Sequence, residues 1–199
     1  MNKQDPAYKQ YLEHLSSLKK LGYDIEENRN FVIEVAKPIY EPILELATGK
    51  GHMALALARQ RYSLTSIDTS SEAQELARSI IDSCDLSRYV KFDTQDAHSL
   101  RFRDGAFNTI FCANALHHFK DPLSVVKECL RLLRRDGKLV ISDFNREGIA
   151  IISKISKSQG HRHPAWRETI SELEEFFNQK HYQFQRYDSK LQEVLVVQS

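Results

Sequence analysis

The chain is poor in the features that would place it outside ordinary soluble proteins. Its three cysteines, Cys84, Cys112 and Cys129, are far apart, and no C-x-x-C occurs. That excludes a disulfide framework and a cysteine zinc site. Net charge is only +1 over 199 residues, so no global field gathers nucleic acid or an acidic membrane. No apolar run approaches the roughly 18 residues of a membrane span, and Met1 to Pro6 is not followed by the apolar core of a signal peptide. Internal repeats and low-complexity tracts are missing. What remains is 41% hydrophobic and 28% charged, a composition that excludes wholesale disorder. The expectation is a reduced, cytoplasmic protein with one domain over residues 1–199: a helical cap over 1–40 and a core over 41–199.

Residues before 40 carry helical spacing. Tyr8, Tyr11, Leu12, Leu15 and Leu18 recur at three- and four-residue steps, Gly22 ends that helix, and Phe31 to Ala36 forms a short apolar stretch before Pro38. From Pro42 the rhythm becomes strand, helix, strand. Strands are expected at Ile43–Leu46, Leu64–Ile67, Tyr89–Phe92, Thr109–Cys112 and Lys138–Ser142. Helices are expected over Met53–Arg59, after a capping box opening at Thr69, and after Asp121-Pro122, the last running through Arg131, Arg134 and Arg135. Alternation of this kind means an α/β fold with a parallel sheet covered on both faces. Near the end, Ser171–Phe177 reads as a short helix. Only Asp188 to Gln192 then separates two β-rich runs, Tyr182–Tyr187 and Val194–Val197, too little for a parallel crossover, so an antiparallel hairpin is expected.

Chemistry concentrates after the first strand, in Glu45-Leu46-Ala47-Thr48-Gly49-Lys50-Gly51-His52. Two of the seven glycines stand here one residue apart, where a bare backbone can turn sharply and admit a ligand. Sheets of this type bind ligands at the carboxyl ends of their strands. A Walker loop fails, because Lys50 is followed by Gly51 and position 44 is leucine. The dinucleotide string G-x-G-x-x-A is satisfied by Gly49 to Ala54, with Asp68 near the ribose position. Glu45 argues against it. A buried carboxylate is costly without a cationic or hydrogen-bonding partner, and a pyrophosphate would worsen that cost. A ligand carrying an ammonium and a sulfonium would relieve it.

On these motifs the sequence resembles the class I S-adenosylmethionine (SAM)-dependent methyltransferases, in particular the ubiquinone/menaquinone-biosynthesis type. Glu45 to Gly51 resembles the family's first motif, with Ala47 where a first glycine often stands; Ile67-Asp68, Asp96-Ala97, Phe107 to Phe119 and Leu132 to Ile141 follow in the family's order over residues 41 to 145. The resemblance implies a Rossmann-like seven-stranded, mostly parallel sheet with a C-terminal antiparallel hairpin and an N-terminal helical cap. It implies SAM as cofactor. The bend of Ala47, Thr48, Gly49 and Gly51 would wrap the donor's amino-acid half, with Glu45 on the ammonium. Asp68, beside Thr69, would accept both ribose hydroxyls. Asp96 would take the adenine amino group near Ala97. Asn114 and Ala115 would face the methionine part. His117 or His118 would be a general base, although a pair of this kind also packs or caps.

The acceptor expected is a small molecule, since the place of an Asn-Pro-Pro-Tyr motif reads Asn114-Ala115-Leu116-His117 and no Pro-Cys occurs. Neither nucleic acid nor membrane is an expected partner. No metal is expected at His161-Arg162-His163, which lacks acidic or cysteine companions. Five cations, Arg146, Lys154, Lys157, Arg162 and Arg167, face one acid, Glu147, in a segment read as a solvated basic helix and loop or an anion-attracting entrance. Trp166, Tyr23 and Tyr11 are candidates for an acceptor-pocket wall, with core packing the simpler role. Two other functions stay open: an NAD(P)-dependent oxidoreductase and a non-catalytic SAM-binding regulator.

Overall fold

A computed structural model describes residues 5–158 and 169–199. His161, Arg162, His163, Trp166 and Arg167 fall outside those residues. One seven-stranded sheet forms the centre, in the order β3-β2-β1-β4-β5-β7-β6. Its strands are β1 (Ile43–Leu46), β2 (Leu64–Asp68), β3 (Val90–Thr94), β4 (Phe107–Ala113), β5 (Leu133–Phe144), β6 (Gln183–Asp188) and β7 (Gln192–Gln198). The first five pair in parallel, while β7 runs antiparallel to both β5 and β6. The α/β, Rossmann-like reading with its terminal hairpin therefore stands.

The central strands β1, β4 and β7 and the second half of β5 are buried on both faces, whereas the edge strands β3 and β6 are partly exposed. In β1 all four residues are buried. Leu44 and Leu46 join Ile110, Cys112, Ile141 and Leu195 on one face, under α5 (Pro122–Leu132) and α7 (Thr169–Gln179). Ile43, Phe111 and Val140 meet the other face, packed by α1 (Pro6–Lys20), α2 (Ile25–Ala36), α3 (His52–Arg59) and α4 (Ser71–Asp82). Side-chain alternation along β1 puts Glu45 on this second face, beside its register partner Ser66. A smaller cluster of Leu18, Tyr23, Phe144 and Leu191 packs against α6 (Arg146–Ser158).

Several boundaries differ from the sequence reading. The cap of α4 is Ser70, whose hydroxyl accepts from the Ala73 amide, so Thr69 is left free to face the cleft. Helix α5 ends at Leu132, and Arg134 and Arg135 lie at the start of β5 rather than in the last helical turn. Gly137 lies in the irregular stretch between the Leu133 and Lys138 pairings of β5. A Cβ there would sit 2.8 Å from the Arg134 carbonyl oxygen, because the chain folds back on itself before β5 resumes pairing. Tyr89 belongs to a 3-10 turn, and β3 begins one residue later. Helix α2 begins at Ile25, six residues before the apolar stretch, capped by Asp24 on the Glu27 amide. Its first turns are polar in sequence, yet Asn28 and Arg29 are buried.

Candidate functional site

The switch in strand order falls between β1 and β4, and a cleft of about 590 Å³ opens beyond the carboxyl ends of β1, β2 and β4. That is where open α/β sheets bind ligands, and the size suits a small molecule. Its floor is the bend between β1 and α3. Ala47, Gly49 and Gly51 all adopt positive φ, at 60°, 49° and 76°. The Gly51 amide closes the bend on the Thr48 carbonyl at 2.8 Å. The two glycines are needed for different reasons. A Cβ on Gly51 would meet Ala77 Cβ at 2.9 Å, so this position fixes how closely α4 approaches. A Cβ on Gly49 finds nothing nearer than 3.9 Å and would project into open space.

Glu45 sits at the base of this bend, 2% exposed. Its Oε2 accepts from the Ser66 hydroxyl, and Thr48 Oγ1 lies 2.6 Å from the same oxygen of Ser66. Burial raises the Glu45 carboxyl to about 8, aided by the Asp68 charge and opposed by the Ser66 hydrogen bond and by Arg29. The site therefore holds a protonated acid near neutral pH, ready to ionise beside a cation.

Asp68 ends β2 and is fixed at both oxygens. The Gly49 amide donates to Oδ2 and the Ser70 amide to Oδ1, each at 2.9 Å. Each oxygen keeps a lone pair for a further donor. Asp96 and Ala97 lie farther along the wall. Asp96 Oδ1 accepts from the His98 amide and pairs with His98 Nδ1 at 2.8 Å, and these bonds hold its pKa down. At the opposite end, Asn114 turns the chain out of β4 at φ 53° and lines the cleft with Ala115. Its Oδ1 accepts from Arg29 Nη1 at 2.8 Å and from Gln192 Nε2 at 2.7 Å.

The two histidines separate. His117 is buried, and Asp143 grips it twice: the amide donates to Oδ2 at 3.1 Å, and Nδ1 lies 2.6 Å from Oδ1. His118 lines the cleft with Phe119 and Lys120, its ring 4.1 Å from that of His117. Among the sequence-derived candidates, Glu45, Ala47, Thr48, Gly49, Asp68, Thr69, Asp96, Ala97, Asn114, Ala115 and His118 line one cleft, whereas Gly51 and His117 sit behind its wall. Tyr11 and Tyr23 are buried and do not line it; Tyr11 hydroxyl instead meets His52 Nδ1 at 3.0 Å.

Sequence reasoning missed Arg29, Lys50, His52, His98 and Asp143. Arg29 did carry a signal: it stands four residues after Ile25 and four before Ile33, on the buried stripe of α2. Asp143 gave none, because the fifth strand was expected to stop one residue short of it. Among the described residues no cluster of three metal-binding side chains exists, and no helix is long and apolar enough to cross a membrane.

A glycine bend lies under a buried acid, and a doubly anchored carboxylate ends the next strand, at the ligand-binding edge of a Rossmann-like sheet. Comparison with known proteins names the class. Residues 44–141 match the family model described as a methyltransferase domain. A demethylmenaquinone methyltransferase of Thermotoga maritima is 33% identical over 132 residues, covering 65% of this chain and 55% of that protein. The ubiquinone/menaquinone biosynthesis C-methyltransferase UbiE of Geotalea uraniireducens is 25% identical over 146 residues, covering 72% and 62%. A SAM-dependent methyltransferase structure from Methanosarcina mazei shares the fold, with TM-score 0.64, 22% identity, and coverage of 84% of this chain and 96% of that one. The chain thus carries a methyltransferase-domain match over residues 44–141, is similar to quinone-biosynthesis methyltransferases, and shares its fold with a SAM-dependent one. It spans between about half and two thirds of the length of the two curated relatives.

Proposed function

We propose that the protein transfers the methyl group of SAM to a small-molecule acceptor. The observation that carries this reading is Glu45: a buried acid, raised to about 8, under the Ala47–Gly51 bend of a cleft that also presents Asp68 and Asp96. An acid so placed fits an ammonium, which would draw it into its ionised form, whereas the pyrophosphate of NAD would give it no cation to ionise against, which is why the oxidoreductase reading is set aside.

The residues divide the work along the cleft. Glu45 ionises against the donor's ammonium, directly or through water. Ala47, Thr48 and Gly49 bring backbone against the amino-acid half, and Gly51 shapes the bend from behind. Asp68 accepts from both ribose hydroxyls, its oxygens already aimed by the Gly49 and Ser70 amides, with Thr69 beside it. Asp96 accepts from the adenine amino group near the Ala97 backbone. Asn114 and Ala115 border the methionine portion. SAM supplies a methyl group already activated by its sulfonium, so the chain's task is in-line alignment and exclusion of water. Where the acceptor must lose a proton, His118 is the base that reaches the cleft; His117 and Asp143 hold its ring from behind.

The relatives are named for quinone biosynthesis, which supports a small-molecule acceptor. The test is incubation with methyl-labelled SAM and a panel of small acceptors, including phenols and quinols. Label in a small product supports the proposal. SAM binding with no transfer across a broad panel would favour a regulator instead.

A further inference from the structure

Among the described residues, two side-chain hydrogen bonds tie α1 to the end of the glycine bend, and they answer differently to protons. The Tyr11 hydroxyl meets His52 Nδ1 at 3.0 Å, the two rings stacked with centroids 5.3 Å apart. Three residues on, His14 Nε2 meets Lys50 Nζ at 3.2 Å. Lys50 stands between Gly49 and Gly51 and is shared by two spaces: the cleft, and a cavity of about 170 Å³ beneath α1 that Leu76 and Ile80 of α4 also line. An ammonium only donates, so the His14–Lys50 bond exists only while Nε2 keeps its lone pair. Protonation of His14 turns both partners into donors of like charge.

No acid stands by to absorb that charge. Among the described residues no carboxylate ion-pairs with His14 or Lys50. Around the small cavity His14 faces Gln10 and Tyr11 of its own helix, the two apolar residues of α4, and Lys50. The charges felt by His52 are those of Arg29, His14 and Lys50. Glu26 of α2, which shares a second cavity with Tyr11 and His52, pairs with Arg59, and Asp68 is held by the Gly49 and Ser70 amides. Burial first, then the Lys50 charge, holds His14 below its ordinary value, and burial holds His52 well below. His52 therefore stays a neutral partner for Tyr11 where His14 responds. The other anchors of α1 do not titrate near neutrality: Asp5 Oδ2 accepts from the Ser79 and Ser83 hydroxyls, and Leu18 packs with Tyr23 and Phe144.

We propose that His14 and Lys50 form a proton-released latch between α1 and the glycine bend, so that acidification loosens this side of the cleft while the rest of the fold stays closed. Released, the imidazole returns to its ordinary value of 6.5; latched, it lies lower. The latch is therefore at full strength above that value and weakens as pH falls below it. Its opening equilibrium rises by up to about tenfold per pH unit until the latched value is passed.

The test is hydrogen exchange of the ligand-free full chain between about pH 7.5 and about pH 5.5, read as protection factors so that the pH dependence of exchange itself cancels. On acidification the α1 amides should lose about three- to tenfold more protection than those of α5. His14→Gln keeps an acceptor for Lys50 but cannot ionise, and should abolish the difference. Protection in α1 that tracks α5 across the range overturns the proposal, and so does a loss that survives in His14→Gln. The wild-type comparison decides the matter even where the variant does not fold. A second arm rests on the SAM-binding reading: acidification should speed the dissociation of S-adenosylhomocysteine more from wild type than from His14→Gln. An equal effect on the two proteins overturns the coupling of the latch to the cleft. Failure of wild type to bind S-adenosylhomocysteine at any pH would instead sink the SAM-binding reading, with exchange still deciding for or against the latch.

Discussion

Glu45→Gln probes the electrostatics of the site without altering its shape. The wild-type carboxyl is raised from the ordinary 4.5 to about 8, chiefly by burial. Between those values the folded, empty protein keeps a proton that the unfolded chain releases. Stability therefore falls as pH climbs from about 4.5 towards about 8, and this contribution is flat outside that window. The slope is at most about 1.4 kcal/mol per pH unit. From pH 5.5 to 7.5 that is up to about 3 kcal/mol, or a loss of roughly 5–12 °C in melting temperature for a chain of this size. Glutamine cannot ionise and still offers an acceptor to Ser66. Thermal unfolding of the ligand-free protein across this range should show the wild-type slope and a flatter one in Glu45→Gln. Ligand adds a second readout. An ammonium beside Glu45 favours the carboxylate, so S-adenosylhomocysteine should release up to about one proton near pH 7, seen as a binding enthalpy that varies with the buffer's ionisation enthalpy. Parallel pH slopes in the two proteins, or no proton release by wild type, would refute the reasoning.

Other outcomes follow from the geometry. Asp68→Ala should weaken S-adenosylhomocysteine by roughly 1–3 kcal/mol by calorimetry, since it strips the carboxylate aimed by the Gly49 and Ser70 amides; unchanged affinity would misplace the ribose. Gly51→Ala should lower the melting temperature, because a Cβ would lie 2.9 Å from Ala77 Cβ; Gly49→Val should lower it too, through strain of a β-branched residue at φ 49°, and should lose ligand affinity besides. Ala47→Gly should raise stability by about 1 kcal/mol, because Ala47 holds φ 60°; a melting temperature at or below wild type would contradict that.

The strand pattern was legible wherever burial on both faces wrote continuous apolar runs. Ile43–Leu46 matches β1 to the residue, and the short link before Gln192 dictated the antiparallel ending. Boundaries blurred where local signals compete. Thr69 and Ser70 are equivalent caps in sequence, and only the Asp68 carboxylate, by taking the Ser70 amide, decides for Ser70. The early turns of α2 are polar in sequence, yet Asn28 bonds the Asp24 carbonyl and Arg29 bonds Asn114, 85 positions away. That long-range pairing has no periodicity to betray it. The motif residues around the bend were readable because backbone geometry demands them; their supports, Asp143 behind His117 and Gln192 behind Asn114, belong to distant strands brought close only by the sheet order.

The most direct measurement is calorimetric titration of the purified chain with SAM, S-adenosylhomocysteine and NAD under one set of conditions. The account predicts that one SAM or S-adenosylhomocysteine binds per chain, that Asp68→Ala weakens both, and that NAD gives no heat of binding. Tight binding of NAD, with neither adenosyl compound bound, would contradict it.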